Sequence, residues 1–573
     1  MTILARGGYD DDLQALLDAP GGDLEVWTFD DAPTRRAAEA EFARRGIRAR
    51  CRSALKPLVC AMAEEVPLRD LRRLHVTWPR PEGAAPGRFL LEAWPLAAML
   101  PGVELRFRAG RPAAAGMPAY RLVLDFRDGT RRRMRVAAPN RMVVDAHGRA
   151  RLSSCGWLIR GGVSAPLATW PERMLQKIHA RLPSFPVQRL RIRVETPFRD
   201  QPLPGGAHLS LTEILHEEIY FSVLEHAQAR AGQAPGDRRL RPGQIVPEMV
   251  PAAHPALLMA AEPWQPDPPP PEQPPPEQPL ARALAALSAS QIACELQALG
   301  GEGRAARSAA GREVGWRYLP GAGRAMLLTA GQHANEISGP IGALRAARVL
   351  ARRGAHLAVC PLENPDGYAL RAELAAADPG HMLHAARYTA LGDDLEYRTP
   401  PLHESAVRAQ ARLRSGALLH VSLHGYPAHE FARPFSGYLP AGFESWTLPR
   451  GMFLILRHWP GWEGAGLALL RAVAARLGAH PGLAGLNLCQ RVARSRYLKG
   501  GAPARMLHGL EVILRPEPSQ PLPLMLITEY PDETLQGPAL RLAHHAQCLA
   551  VLAAYAALQG LDLPRRGRDA AAV

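Results

Sequence analysis

The hydrophobic pattern divides this chain into unlike halves. Up to about residue 65, apolar runs that read as strands, such as Val26-Trp27-Thr28-Phe29, mix with a stretch of helical spacing from Thr34 to Arg45. From about 70 to 170 the runs are strand-like: His75-Val76-Thr77-Trp78, Val103 to Phe107 and Arg121 to Phe126. Arg127-Asp128-Gly129 is a hairpin signal. A strand from Leu190 to Val194 and an amphipathic helix from about Leu211 to Ala229 complete this half. The pattern predicts an α+β N-terminal region over 1–262, with a break between two subdomains near 65–70. No repeat or catalytic motif marks its role.

Pro263 to Pro279 contains Pro268 to Pro271 and Pro274 to Pro276. Such runs fit neither helix nor sheet interiors; they adopt extended polyproline II and act as semi-rigid spacers. A linker is therefore expected at 263–279, with a separate domain over 280–573. There the pattern alternates. A helix from about Ala281 to Leu299 precedes strands at Val314–Tyr318 and Ala325–Ala330. A helix from about Gly339 to Arg353, a strand at His356–Cys360, strands at Ala417–Leu423 and Leu524–Thr528, and a helix from about Gly537 to Leu558 follow. Strands alternating with helices predict an α/β fold with a mostly parallel or mixed sheet flanked by helices.

Composition changes this picture little. With 573 residues, 47% of them hydrophobic and 21% charged, the chain is globular and long enough for two or three domains. The formal charge of +15 comes almost wholly from Arg spread along the sequence, Lys occurring only at Lys56, Lys177 and Lys499. The densest cluster, Arg131-Arg132-Arg133-Met134-Arg135, reads as the exposed side of a hairpin, so no nucleic-acid partner is expected. Seven scattered Cys give neither a disulfide framework nor a thiolate metal site. No apolar leader and no run of about 18 apolar residues is present, so the expectation is a cytoplasmic protein without a membrane partner.

Candidate chemistry sits where the predicted strands stop. His333 and Glu336 follow the strand at 325–330, His424 follows 417–423, and Glu529 follows 524–528. Open α/β sheets gather their sites at the carboxyl ends of strands, so residues far apart in sequence can meet there. Imidazole and carboxylate are suitable zinc donors, and a catalytic zinc takes three protein ligands with one position open. Glu213, His216 and Glu217 also fall within one helical turn. Tyr220 stands where a second His would be needed, and a solvated helix face is the expectation.

Gly331-Gln332-His333-Ala334-Asn335-Glu336, Asn364-Pro365-Asp366-Gly367-Tyr368, Ser422-Leu423-His424-Gly425-Tyr426 and Thr528-Glu529 together resemble the zinc metallocarboxypeptidases related to carboxypeptidase A. The resemblance covers about the last 290 residues and nothing before the spacer. It implies one zinc per chain held by His333, Glu336 and His424, with Glu529 as general base and Asp394 orienting a ligand His. It implies hydrolysis of a peptide or peptide-like amide.

The chain departs from that family at Glu396 and Tyr397, which stand where an Asn and an Arg grip the substrate's terminal carboxylate. Arg398 or Arg387 is the expected substitute, Tyr497 a candidate at the substrate, and Glu396 is expected to face a cationic part of it. Two rivals stand beside this reading. One is an amidohydrolase of a small acyl-amino acid, like the succinylglutamate desuccinylases; the other is a non-catalytic binding protein on the same fold.

Overall fold

The computed structural model describes residues 1–18, 21–84, 87–113, 117–204, 208–264, 278–428, 435, 448–497 and 505–564. Two compact units account for the chain. The first is Met1–Pro263 with Glu430–Leu448 and Ser495–Lys499; the second is Trp264–His429, Pro449–Arg494 and Gly500–Val573. The first unit thus takes in two late stretches of sequence as well as the N-terminal half. Most of the expected spacer, 265–277, lies outside the described residues. Among the described residues no helix is long and apolar enough to cross a membrane.

The first unit is α+β. It holds three four-stranded sheets, built on Arg189–Thr196, Leu24–Thr28 and Leu71–Pro81, with helices that include Ala32–Arg44, Trp170–Ala180 and Leu211–Arg230. The hairpin read at Arg127-Asp128-Gly129 forms: Gly129 has φ +87°, and Asp128 Oδ1 accepts from Thr130 N at 2.8 Å. The strand that follows, Arg131–Ala137, exposes Arg131, Arg132 and Arg133. The helix Leu211–Arg230 corrects an expectation. Glu213, His216 and Glu217 do not form a solvated face; all three are buried.

In the second unit the strands are β1 (Glu302–Arg307), β2 (Glu313–Leu319), β3 (Ala322–Ala330), β4 (Ala355–Cys360), β5 (Leu419–Tyr426), β6 (Phe453–His458), β7 (Arg505–Leu507), β8 (Leu510–Pro516) and β9 (Leu524–Pro531). They form one nine-stranded mixed sheet in the order β1-β2-β4-β3-β5-β9-β6-β8-β7. The central β4-β3-β5-β9 strands are parallel, and β6 is antiparallel to β9. Strand alternation sends successive side chains to opposite faces. On β3, Met326, Leu328 and Ala330 enter one core while Ala325 and Leu327 enter the other.

The first core is covered by α2 (Ser338–Arg352), α5 (Glu463–Gly478) and α7 (Gly537–Gly560), the second by α4 (Ala406–Ser415). Each fully buried Leu or Ile contributes roughly 1.5–3 kcal/mol. The helix expected from Ala281 is shorter than its pattern suggests. A 3-10 turn spans Leu280–Arg282, and α1 (Ala289–Gln297) starts only where Ser288 Oγ caps Gln291 N at 3.0 Å.

Candidate metal centre

β3 stops at Gly331, whose φ of +66° suits a residue without a Cβ; a Cβ there would also meet Leu362 Cδ1 at 2.9 Å. Neighbouring backbone fixes this turn, since Glu363 N donates to Ala330 O and Asn364 N to Gly331 O, each at 3.0 Å. Asn364 then caps α3 (Pro365–Ala377) through Oδ1 on Gly367 N at 2.8 Å. The Asn364–Tyr368 segment is therefore the buttress of the turn that carries His333 and Glu336.

From that turn the two side chains reach His424 on the next strand, β5. His333 Nδ1 lies 2.7 Å from Glu336 Oε1, and His424 Nδ1 lies 3.2 Å from His333 Nδ1 and 3.1 Å from Glu336 Oε2. All three residues are buried. Among the described residues this is the one group of three His, Cys, Asp or Glu whose donor atoms converge, all within 4.8 Å of one another. Two imidazole nitrogens facing each other across a carboxylate suit a divalent cation. Bonds of about 2.0–2.2 Å need donors this close, and two N, one O is a donor set zinc accepts. The residues fit the group.

The surroundings hold the donors in place. Asp394 Oδ2 is 3.4 Å from His333 Nε2, and Asp394 Oδ1 accepts from Gln332 Nε2 at 2.8 Å. A carboxylate on the far nitrogen leaves Nδ1 free to coordinate. Gly425 N donates to Glu336 Oε2 at 2.9 Å, as does Arg387 Nη1 to Oε1 at 2.9 Å. Gln547 Nε2 holds the carbonyl of His424 at 2.9 Å. Burial pushes the Glu336 carboxyl up, but His333, His424 and Arg387 outweigh it and hold it well below the usual range. For His333, burial and Arg387 work against the charged form, and Glu336 and Asp394 prevail to raise it.

Glu529 stands beside this group without joining it. In the sheet register it is the partner of His424, on strands about 4.8 Å apart. Burial, then the charge of Glu336, push its carboxyl well above the usual range. It is partly exposed, unlike the three donors.

The remaining expected residues have different fates. Arg387 is at the cluster, within 3.8 Å of Glu533 as well as on Glu336. The Arg398 side chain is fully buried and committed to Asp393 at 2.6 Å and Glu404 at 3.1 Å, so it cannot serve a substrate. Glu396 does not wait for a cation from outside: Arg457 and Arg408 neutralise it. Tyr497 belongs to the first unit, where its hydroxyl donates to Ala93 O at 3.0 Å and its ring packs on Trp94 and Phe107. Three contributors escaped the sequence reading. Gln332 bonds both Asp394 and Arg408, Arg408 spans Glu363 and Gln332, and Arg457 follows the four apolar residues that open its strand. Only Arg457 carried a signal, a charge directly after the apolar run Phe453-Leu454-Ile455-Leu456.

No model of a protein family matches the chain, and no curated protein does. Solved structures do. A metallo-carboxypeptidase from Pseudomonas aeruginosa, in complex with (2-guanidinoethylmercapto)succinic acid, is 15% identical over 47% of this chain and 69% of its own, with a TM-score of 0.28. One from Burkholderia cenocepacia is 13% identical over 53% and 75%, at 0.28. Carboxypeptidase A from Helicoverpa armigera is 10% identical over 48% and 74%, at 0.29. The structures it is similar to are described as metallopeptidases and carboxypeptidases. At these scores the chemistry of this chain rests on its own donors.

Proposed function

We propose that the second unit is a zinc-dependent hydrolase of the metallocarboxypeptidase type, cutting a peptide or peptide-like amide bond. The observation that carries this reading is the convergence of His333, Glu336 and His424 beside an unligated acid, Glu529. His333 Nδ1, His424 Nδ1 and the Glu336 carboxylate would hold the zinc. Zinc, when bound, supplies Lewis acidity, polarising a carbonyl and acidifying water.

The chain's own groups do the rest. Glu529 accepts the water's proton on a carboxylate oxygen and returns it to the leaving amine. Arg387, on Glu336 and within 3.8 Å of Glu533, is the guanidinium beside the cluster that would pair with an anionic group of the substrate. Asp394 keeps His333 in one tautomer and orientation. Glu336 and Glu529 divide their roles by place: one is clasped by two imidazoles, the other stands one strand away.

A second reading, deacylation of a small acyl-amino acid, is favoured by one observation. Arg398, a candidate anchor for a C-terminal carboxylate, is locked in the interior. Zinc-loaded full-length chain assayed on acetylated peptides and on acyl-amino acids separates the two. Glu529→Gln should keep the metal and lose roughly 10²–10⁴-fold in turnover. A variant that turns over normally would remove Glu529 from the mechanism.

A further inference from the structure

The sheet face that carries His424 and Glu529 continues downward in register. One row down lie Ser422, Ile527 and Ile455; two rows down lie Leu327, His420, Met525, Arg457 and Arg515. Every residue of this lower row lines a hollow of about 520 Å³, closed from the side by Arg408 and Arg412 of α4. Four rise steps of about 3.3 Å along β9 separate the two rows, about 13 Å in all. Hollow and cluster are joined by a bonded path from Arg408 to Gln332, Asp394 and His333.

The hollow is built for negative charge. Four guanidiniums line it, those of Arg408, Arg412, Arg457 and Arg515, against two carboxylates, Glu396 and Glu517. Arg408 is engaged by Glu363 at 2.6 Å, and Arg457 by Glu396. Arg412 has no side-chain partner among the described residues, and the Nε atoms of both Arg412 and Arg457 are buried without an acceptor. Buried donors in folded chains are nearly always satisfied, and a planar guanidinium matches a carboxylate. Burial, then the Arg408 charge, push the His420 imidazole well below its usual range, and its Nε2 lies 2.9 Å from Thr329 Oγ1.

We propose that this hollow receives an acidic side chain on the leaving part of the substrate, with Arg412 and Arg457 as its specificity-determining residues. The proposal rests on the reading that the His333–Glu336–His424 row is where the bond is cut. It also accounts for Glu396: that carboxylate positions Arg457 and shares Arg408, and does not itself meet substrate.

Calorimetry on zinc-depleted full-length chain tests this apart from catalysis. N-acetyl-glutamate should bind at least tenfold tighter than N-acetyl-glutamine. N-acetyl-glutamate with its α-carboxyl amidated should keep that advantage, because the side chain is what the hollow reads. Arg412→Gln and Arg457→Gln should each erase it; the first leaves the Glu396 pairs intact, so it holds even if the second folds poorly. Equal binding of the two acids, loss of preference on amidation, or a preference that survives in Arg412→Gln overturns the proposal. Zinc content and turnover, measured separately, judge the reading beneath it. A zinc hydrolase without acid preference sinks only the inference, whereas an acid-binding chain that takes up no zinc sinks the hydrolase and, with it, the hollow's role toward a leaving group.

Discussion

Replacing Asp394 with Asn exchanges one oxygen for an amide nitrogen and should cost most of the metal affinity. Asp394 Oδ1 accepts from Gln332 Nε2 at 2.8 Å and from Glu396 N at 3.0 Å, so the amide oxygen of the substituted side chain must stay there to satisfy two donors. The amide NH₂ then takes the place of Oδ2, 3.4 Å from His333 Nε2. A donor now faces that nitrogen, which must become an acceptor, and the imidazole proton moves to Nδ1. Nδ1 is the atom 2.7 Å from Glu336 and 3.2 Å from His424, and once protonated it has no lone pair for a cation. Losing a partner of this kind typically costs roughly 10–100-fold in metal affinity, or about 1.4–2.7 kcal/mol. Competition for zinc against a chromophoric chelator measures it, with the melting curve of the metal-free protein as control. The Gln332 and Glu396 bonds survive, so the metal-free variant should unfold within a few degrees of the parent. A zinc affinity within threefold of the parent would refute the tautomer argument.

Other consequences follow from the same contacts. Gly425→Ala would put a Cβ 2.0 Å from Asp532 Oδ1 and 2.9 Å from Tyr530 O, while its N–H holds Glu336. Both stability, by about 1–3 kcal/mol, and zinc affinity should fall; a silent substitution would contradict the close approach of β5 and β9 at this residue. Arg398→Met leaves Asp393 and Glu404 buried without their cation and should destabilise by about 3–5 kcal/mol in urea unfolding; a loss under about 1 kcal/mol would return Arg398 to the candidate anchors. In the first unit, burial and the stacked ring of His226 lower the His179 pKa from 6.5 to about 3. The unfolded chain takes up that proton near pH 6.5 and the folded chain only near 3. Stability contributed by the neutral ring is therefore present above about 6.5 and falls as pH drops toward about 3, by up to about 1.4 kcal/mol per pH unit. His179→Gln should flatten that acid limb of the denaturation midpoint, and an unchanged slope would contradict the assignment.

What could be read from the sequence was whatever chemistry is local. His333, Glu336, His424 and Glu529 each follow an apolar run that reads as a buried strand, and strand ends converge in an α/β sheet. Asp394 came from the family resemblance, as the residue two places before Glu396. The substrate side was not, because it depends on pairings between elements. Nothing near Arg398 announces Asp393 and Glu404 as buried partners, and nothing near Glu396 announces Arg457, 61 positions away. With Tyr220 in place of a second His, Glu213, His216 and Glu217 likewise read as a solvated face, whereas tertiary packing buries them. The helix expected from Ala281 was overextended because Ser288, a strong N-cap, was read as helix interior.

The whole account depends on one ion. Zinc measured by mass spectrometry on full-length chain, dialysed after loading, should give about one per chain for the parent and near zero for His333→Ala and for His424→Ala, with Glu529→Gln at the parental level. No zinc on the parent, or a stoichiometry that ignores the two histidines, would contradict it.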